Sequence, residues 1–160
     1  MDVNKQNRAV YIFWIVLAEV VGALAGVLTR AGTQEYIATV IKPPLTPPGW
    51  VFPVVWSVLY FLMGAGAARV YLTPASNARS KALGVWLLQL GVNFFWSIIF
   101  FNLRSFLLAF VWTMLLWGLV IWMIVLFFRV DKGAALLQLP YLIWVTFAAW
   151  LTFGVWRLNG

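Results

Sequence analysis

Apolar positions fall in five long runs, broken by short polar stretches. The runs cover roughly 9–29, 50–72, 81–101, 105–128 and 133–156. Each is close to the ~20 residues that a helix needs to cross a bilayer core. A spanning segment must satisfy its backbone polar groups internally, so such runs are helices. The pattern predicts an all-α integral membrane protein, a five-transmembrane-helix bundle built as one domain over 1–160. The breaks T-P-A-S-N-A-R-S at 73–80, N-L-R-S at 102–105 and R-V-D-K-G at 129–133 are short. They make neighbouring helices antiparallel. The first break, 30–49, is the long one, and a long loop in a compact bundle is usually functional.

That break ends in K-P-P-L-T-P-P-G-W, with Pro43, Pro44, Pro47 and Pro48 within six residues. Each proline fixes its own φ and pushes its predecessor out of the α region. Residues 42–48 are therefore expected to be extended and stiff, and the whole loop to form a lid over one end of the bundle. Pro53 is tolerable in the first turn of the second helix, where its missing N–H had no intrahelical partner. Pro140 is read as lying inside the fifth helix, freeing the carbonyl of Leu136 and bending the helix.

Composition agrees. The chain is 64% apolar and 9% charged, against about 45–50% and about 25% for soluble domains. Eleven Trp and five Tyr suit two water–lipid boundaries. The net charge of +7 is spread in ones and twos at the ends of apolar runs. That is the distribution of helix-end anchors, so no nucleic-acid partner is expected. Lys5, Arg8, Arg69, Arg79, Lys81, Arg129 and Lys132 fall on the N-terminal side, and Arg30, Lys42, Arg104 and Arg157 on the other. This bias places the N-terminus in the cytoplasm. The first run reads as a span rather than a cleaved leader. The chain has no Cys and no His, which excludes thiolate nucleophiles, Ser-His triads and the usual metal sites. No metal or required cofactor is expected. Five helices without a repeat do not fit the inverted-halves plan of many transporters.

Ala18, Gly22 and Gly26 recur every four residues on the first helix, which suits close helix packing inside the monomer. Gly84 and Gly91 on the third helix could offer a flat face to a second subunit. Glu19 lies near mid-span, where a carboxylate is costly. It should face the bundle, either as a neutral acid bonded to a neighbouring helix, the favoured reading, or as the proton-coupling group of a small exporter. The better constellation is aromatic. Phe52, Trp56, Tyr60 and Met63 share one face of the second helix. Gln89, Asn93, Trp96 and Phe100 share one face of the third, and Tyr141, Trp144, Ala148 and Thr152 one face of the fifth. A hollow lined by indole and phenol rings with one amide suits a flat apolar ligand carrying a few polar groups. Ordinary aromatic packing is the alternative. It is taken for Trp14, Trp112, Trp117 and Trp122, and left open for Trp56 and Trp144.

The motifs K-P-x-x-x-P-P-x-W-V-F-P-x-x-W-x-x-L-Y at 42–60, Q-L-x-x-N-x-x-W-x-x-x-F-F at 89–101, P-Y-L-I-W at 140–144 and V-W-R at 155–157 stand in one order along the chain. In these the chain resembles the TspO/MBR family of translocator proteins and peripheral-type benzodiazepine receptors, as a bacterial member. The resemblance implies a five-helix bundle, usually a homodimer, that binds porphyrins, sterols and isoquinoline carboxamides beneath the first loop. It places ligand-binding residues at Tyr36, Pro47, Trp56, Asn93, Trp144 and Ala148, to which the aromatic faces add Phe52, Tyr60 and Trp96. Trp56 and Trp144 resemble the pair implicated in light-dependent porphyrin breakdown. Leu45 stands where the family usually has a tryptophan, and Tyr36 is one residue farther from the K-P pair than usual. Phe153 replaces a tyrosine of the sterol-recognition pattern, although Leu151 and Arg157 remain, so sterol binding is not expected. Thr152 replaces a frequent asparagine. The leading expectation is a membrane receptor or carrier for porphyrins. The alternatives are a light- and oxygen-dependent porphyrin-degrading enzyme using Trp56 and Trp144, and a proton-coupled exporter using Glu19.

Overall fold

The computed structural model describes residues 3–160. These residues are helical throughout apart from short connections, with no strand among them. Five segments are long and apolar enough to cross a membrane: Val3–Leu28, Val51–Tyr71, Asn77–Asn102, Phe106–Val130 and Lys132–Asn159. The individual helices are α1 (Val3–Leu28), α2 (Arg30–Thr39), α3 (Val51–Tyr71), α4 (Asn77–Ser97), α5 (Phe106–Val130), α6 (Lys132–Leu136) and α7 (Leu139–Asn159). A π-helical turn, Ile98–Asn102, ends the span begun by α4.

The spans form a ring in the order α1, α3, α7, α5, α4. Contacts are dense between α1 and α3, between α4 and α5, and between α5 and α7, and sparse between α3 and α7. Helices in lipid approach closely where small residues let them. On α3 the run Gly64–Ala68 is buried, and a Cβ on Gly64 would collide with the backbone of Ile15 in α1. Ala18 is fully buried and Gly22 lies under the ring of Tyr60. Gly26, expected in the same stripe, faces open space, as do Gly84 and Gly91 on α4. Trp14 and Trp86 meet edge-on at 5.2 Å in the core, and Trp86 Nε1 donates to the carbonyl of Met63.

Three expectations are corrected. The first loop is not structureless, since residues 30–39 form α2. A ten-residue helix containing Gly32 is marginal by propensity, and tertiary contacts hold it. Gly32 sits where a Cβ would come within 2.5 Å of the Phe101 carbonyl oxygen, while Tyr36 packs on Phe100 and Phe101. Arg104 pairs with Glu35 and donates to Thr39 Oγ1. Residues 40–50 are non-helical, but the extended stretch expected over 42–48 is broken by a turn at 44 and 45, where Leu45 is left-handed. Second, Pro140 does not bend a continuous helix. The span breaks at residues 137 and 138 and restarts, so Pro140 lies in the first turn of α7, where its missing donor costs nothing. The break is held by Asp131, which caps α6 through the amide of Ala134, and by Gln138 Nε2, which donates to the carbonyls of Leu62 and Ala134. Third, the first helix begins at Val3, six residues before the apolar run, because Lys5, Gln6 and Arg8 favour a helix outside the lipid as well.

Candidate functional site: an aromatic pocket beneath an anchored lid

The indole rings of Trp56 on α3 and Trp144 on α7 meet edge-on with centroids 6.5 Å apart. Both lie at the sparse seam between these helices. Phe52 packs edge-on against Trp144 at 5.9 Å, and Trp56 lies against Tyr60 and Tyr141 at 5.5 and 6.3 Å. Behind the rings is a cavity of about 10 Å³ lined by Trp56, Asn93, Trp96, Thr113, Leu116, Val145 and Ala148. That volume is near the minimum for one water. A larger ligand therefore needs the rings to turn and the α3–α7 seam to part.

Trp56, Asn93, Trp96 and Ala148 thus line one space, as the sequence led us to expect, and Phe52, Tyr60 and Trp144 adjoin it through ring contacts. Tyr36 and Pro47 do not reach it. Tyr36 connects to it indirectly: it lies against Phe100, which stacks on Trp96 at 4.9 Å. Burial pushes the Tyr36 hydroxyl up from its ordinary range, and the Lys42 ammonium stands over its ring. Pro47 is half-buried in the lid tip. Sequence reasoning missed Thr113 and Leu116 of α5 and Val145 of α7. Thr113 left a signal as a polar residue in an otherwise apolar run; its hydroxyl accepts from Trp96 Nε1 at 2.7 Å and donates to the Ala109 carbonyl. Leu116 and Val145 left none.

A buried polar chain crosses the bundle beside the cavity. The Tyr60 hydroxyl faces Asn93 Oδ1 at 3.5 Å, and Asn93 Nδ2 donates to Tyr141 Oη at 2.8 Å. Tyr141 donates to Gln89 Oε1 at 2.8 Å, and Gln89 Nε2 approaches Met63 Sδ at 3.6 Å. Such a chain fixes α3, α4 and α7 relative to one another, because each member would leave a buried group unpaired if it moved. Glu19 is half-buried on α1. Contrary to the pairing expected, its carboxyl makes no hydrogen bond among the described residues. The four tryptophans read as packing residues do pack or anchor. Trp112 Nε1 donates to the Val92 carbonyl and Trp117 Nε1 to Thr146 Oγ1. Lys81 stands over Trp122, and Trp14 is in the core.

The lid is fastened at both ends. Arg104, just past the π turn, holds α2 through Thr39 Oγ1, while Asn102 Nδ2 in that turn donates to the Leu28 carbonyl at the end of α1. Downstream, Asn159 Oδ1 accepts from the Ile41 amide at 3.0 Å, and Asn159 Nδ2 donates to the Ile41 carbonyl at 2.8 Å. Pro43 is buried against Gly154, where a Cβ would come within 2.6 Å of the proline ring. Beyond Pro43 the chain turns. Leu45 has φ 68°, a left-handed conformation costly for a side chain bearing Cβ. Thr46 Oγ1 donates to the Pro43 carbonyl at 2.7 Å. Residues 44, 45 and 48–50 are exposed.

A five-span helical membrane bundle, with an aromatic pocket at a loose seam and a tethered loop above it, defines the class. The chain belongs to the TspO/MBR family, whose profile matches residues 14–157. It is 37% identical over 157 residues to the tryptophan-rich protein TspO of Chlorobaculum tepidum, covering 98% of this chain and 99% of that one. It is 44% identical over 119 residues to protein CrtK of Rhodobacter capsulatus, covering 74% of each. To the human translocator protein it is 36% identical over 127 residues, covering 78% of this chain and 75% of that one.

Proposed function

We propose that this protein is a membrane receptor or carrier for porphyrins and similar flat apolar ligands, isoquinoline carboxamides among them. The carrying observation is the Trp56–Trp144 pair at a seam that few contacts close, with Asn93 at the cavity behind it. A planar macrocycle gains from stacking on indole faces and from apolar burial, and the single amide orients it. The chain has no His, so free-base porphyrin is the expected form. The assembly is a homodimer, for which the open face at Gly84 and Gly91 leaves room. Titration of the purified protein with protoporphyrin, followed by Trp quenching, tests the reading. Saturable quenching that weakens about tenfold or more in a Trp56→Ala, Trp144→Ala double variant supports it, since each lost stacking contact is worth about 1 kcal/mol. Undiminished affinity in that variant refutes this pocket.

One observation favours a second reading, light-driven breakdown of the bound porphyrin. Trp56 lies in ring contact with Tyr60, Tyr141 and Trp144. These rings could carry away an electron hole left by the excited macrocycle, with oxygen as oxidant. Illuminating the complex with and without oxygen separates the two readings: recovery of unaltered porphyrin under both conditions dismisses the enzyme.

A further inference from the structure

The polar chain beside the pocket has a direction. A phenol carries one proton to donate. Tyr141 spends its proton on Gln89, and therefore accepts from Asn93; Asn93 Oδ1 then takes the proton of Tyr60. At the head of the chain the Tyr60 oxygen accepts from no donor among the described residues. The first link is also the weakest, 3.5 Å against 2.8 Å for the two that follow.

Glu19 lies on α1, the helix against which the Tyr60 ring packs. The Tyr60 ring lies on Gly22 of α1 so closely that a Cβ there would come within 2.6 Å of ring carbon Cδ2. Glu19 precedes Gly22 by three residues, on the same flank of the helix. Its carboxyl makes no hydrogen bond of its own among the described residues. The other titratable groups on the elements packed against α1 are at the span ends. On α3, Arg69 is paired with Asp131, and Tyr71 lies under Arg79. Arg79 and Lys81 open α4, and Arg30, Glu35 and Tyr36 belong to the lid helix. Tyr141 of α7 is reached only through Asn93.

We propose that Glu19 is a proton-bearing positioning residue of the pocket, acting through Tyr60 on Asn93. As a neutral acid, Glu19 donates to Tyr60 Oη and completes the chain. As a carboxylate, it accepts the Tyr60 hydroxyl proton instead. Asn93 Oδ1 then loses its donor and is offered to a ligand N–H or O–H at the cavity. The one covalent bond broken is the Glu19 O–H, whose proton goes to solvent water as the hydrogen bond turns round. This rests on the porphyrin-pocket reading above. Its consequence is linkage: a donor-bearing ligand releases a proton from Glu19, and its affinity rises with pH by at most about tenfold per pH unit for one linked proton.

The test has two arms, both on the full chain in detergent micelles. The first needs no ligand. The infrared C=O band of the Glu19 acid is identified by its loss in Glu19→Gln and followed through titration. Tyr60→Phe is expected to shift that band and its titration midpoint; a band unmoved by Tyr60→Phe overturns the pairing. In the second arm, protoporphyrin affinity is measured across pH for the wild type and Glu19→Gln, so that the ligand's own titration cancels in the ratio. The wild type is expected to gain severalfold over Glu19→Gln as pH rises, and a flat ratio overturns the coupling. If protoporphyrin binds neither form, the porphyrin-pocket reading fails, and the infrared arm alone decides the role of Glu19.

Discussion

Asn159, in the last turn of α7, satisfies both backbone polar groups of Ile41 in the lid. The two residues are 118 positions apart in the chain. This side chain does for the lid what a strand partner would do in a sheet.

Removing it should loosen the lid without unfolding the bundle. Each net hydrogen bond is worth about 0.5–1.5 kcal/mol, so Asn159→Ala should speed protoporphyrin dissociation roughly tenfold. Hydrogen exchange over residues 40–50 should rise while the core of α3 and α5 stays protected. Equal protection of the lid in both proteins would show that Pro43 against Gly154 holds it alone.

Gly154→Ala attacks that second fastening. The new Cβ would come within 2.6 Å of the Pro43 ring, so one of the two must move. We expect the lid to lift, with faster proteolysis near residues 44–50. Thermal stability of the bundle should change little, because α7 itself tolerates alanine. Limited proteolysis followed by mass analysis reads the outcome.

Tyr141→Phe should be the most damaging conservative change in the bundle. It removes one hydroxyl and strands both Asn93 Nδ2 and Gln89 Oε1, which are fully buried. Each stranded group costs about 1–3 kcal/mol. The thermal midpoint in detergent should fall by several degrees, more than for Trp117→Phe at the exposed bond to Thr146.

Asp131 carries the pH prediction. Burial pushes its carboxyl up, but bonds from the Arg69 guanidinium and the Ala134 amide outweigh this and hold it below the usual carboxylate range. A group depressed in the folded state adds stability above its unfolded value and loses it as pH falls through its folded value. Stability should therefore decline on acidification below the ordinary carboxylate range, and Asp131→Asn should flatten that decline. Asp131→Ala also removes the cap of α6, at a further cost of about 0.5–2 kcal/mol at neutral pH. Thermal scans of the three proteins against pH check both statements.

Span number, the loss of helix after Ile41 and the aromatic faces were legible in the chain itself, whereas the turn at residues 44 and 45 was not. Apolar length answers to the thickness of a membrane, and proline and helical periodicity act on nearest neighbours. For the same reason Trp56, Asn93, Trp96 and Ala148 could be brought together before any coordinates, each lying on a face already marked by its helix. What local rules could not give was anything decided by a partner far along the chain. α2 owes its existence to Arg104, Tyr36 and the π turn rather than to its own propensity. The break before Pro140 depends on Gln138 reaching Leu62. Leu116 and Val145 join the cavity only because α5 and α7 pack as they do. The size of that cavity and the looseness of the α3–α7 seam are likewise tertiary facts, set by how ring volumes fill the space between helices whose order around the bundle no single stretch of sequence encodes.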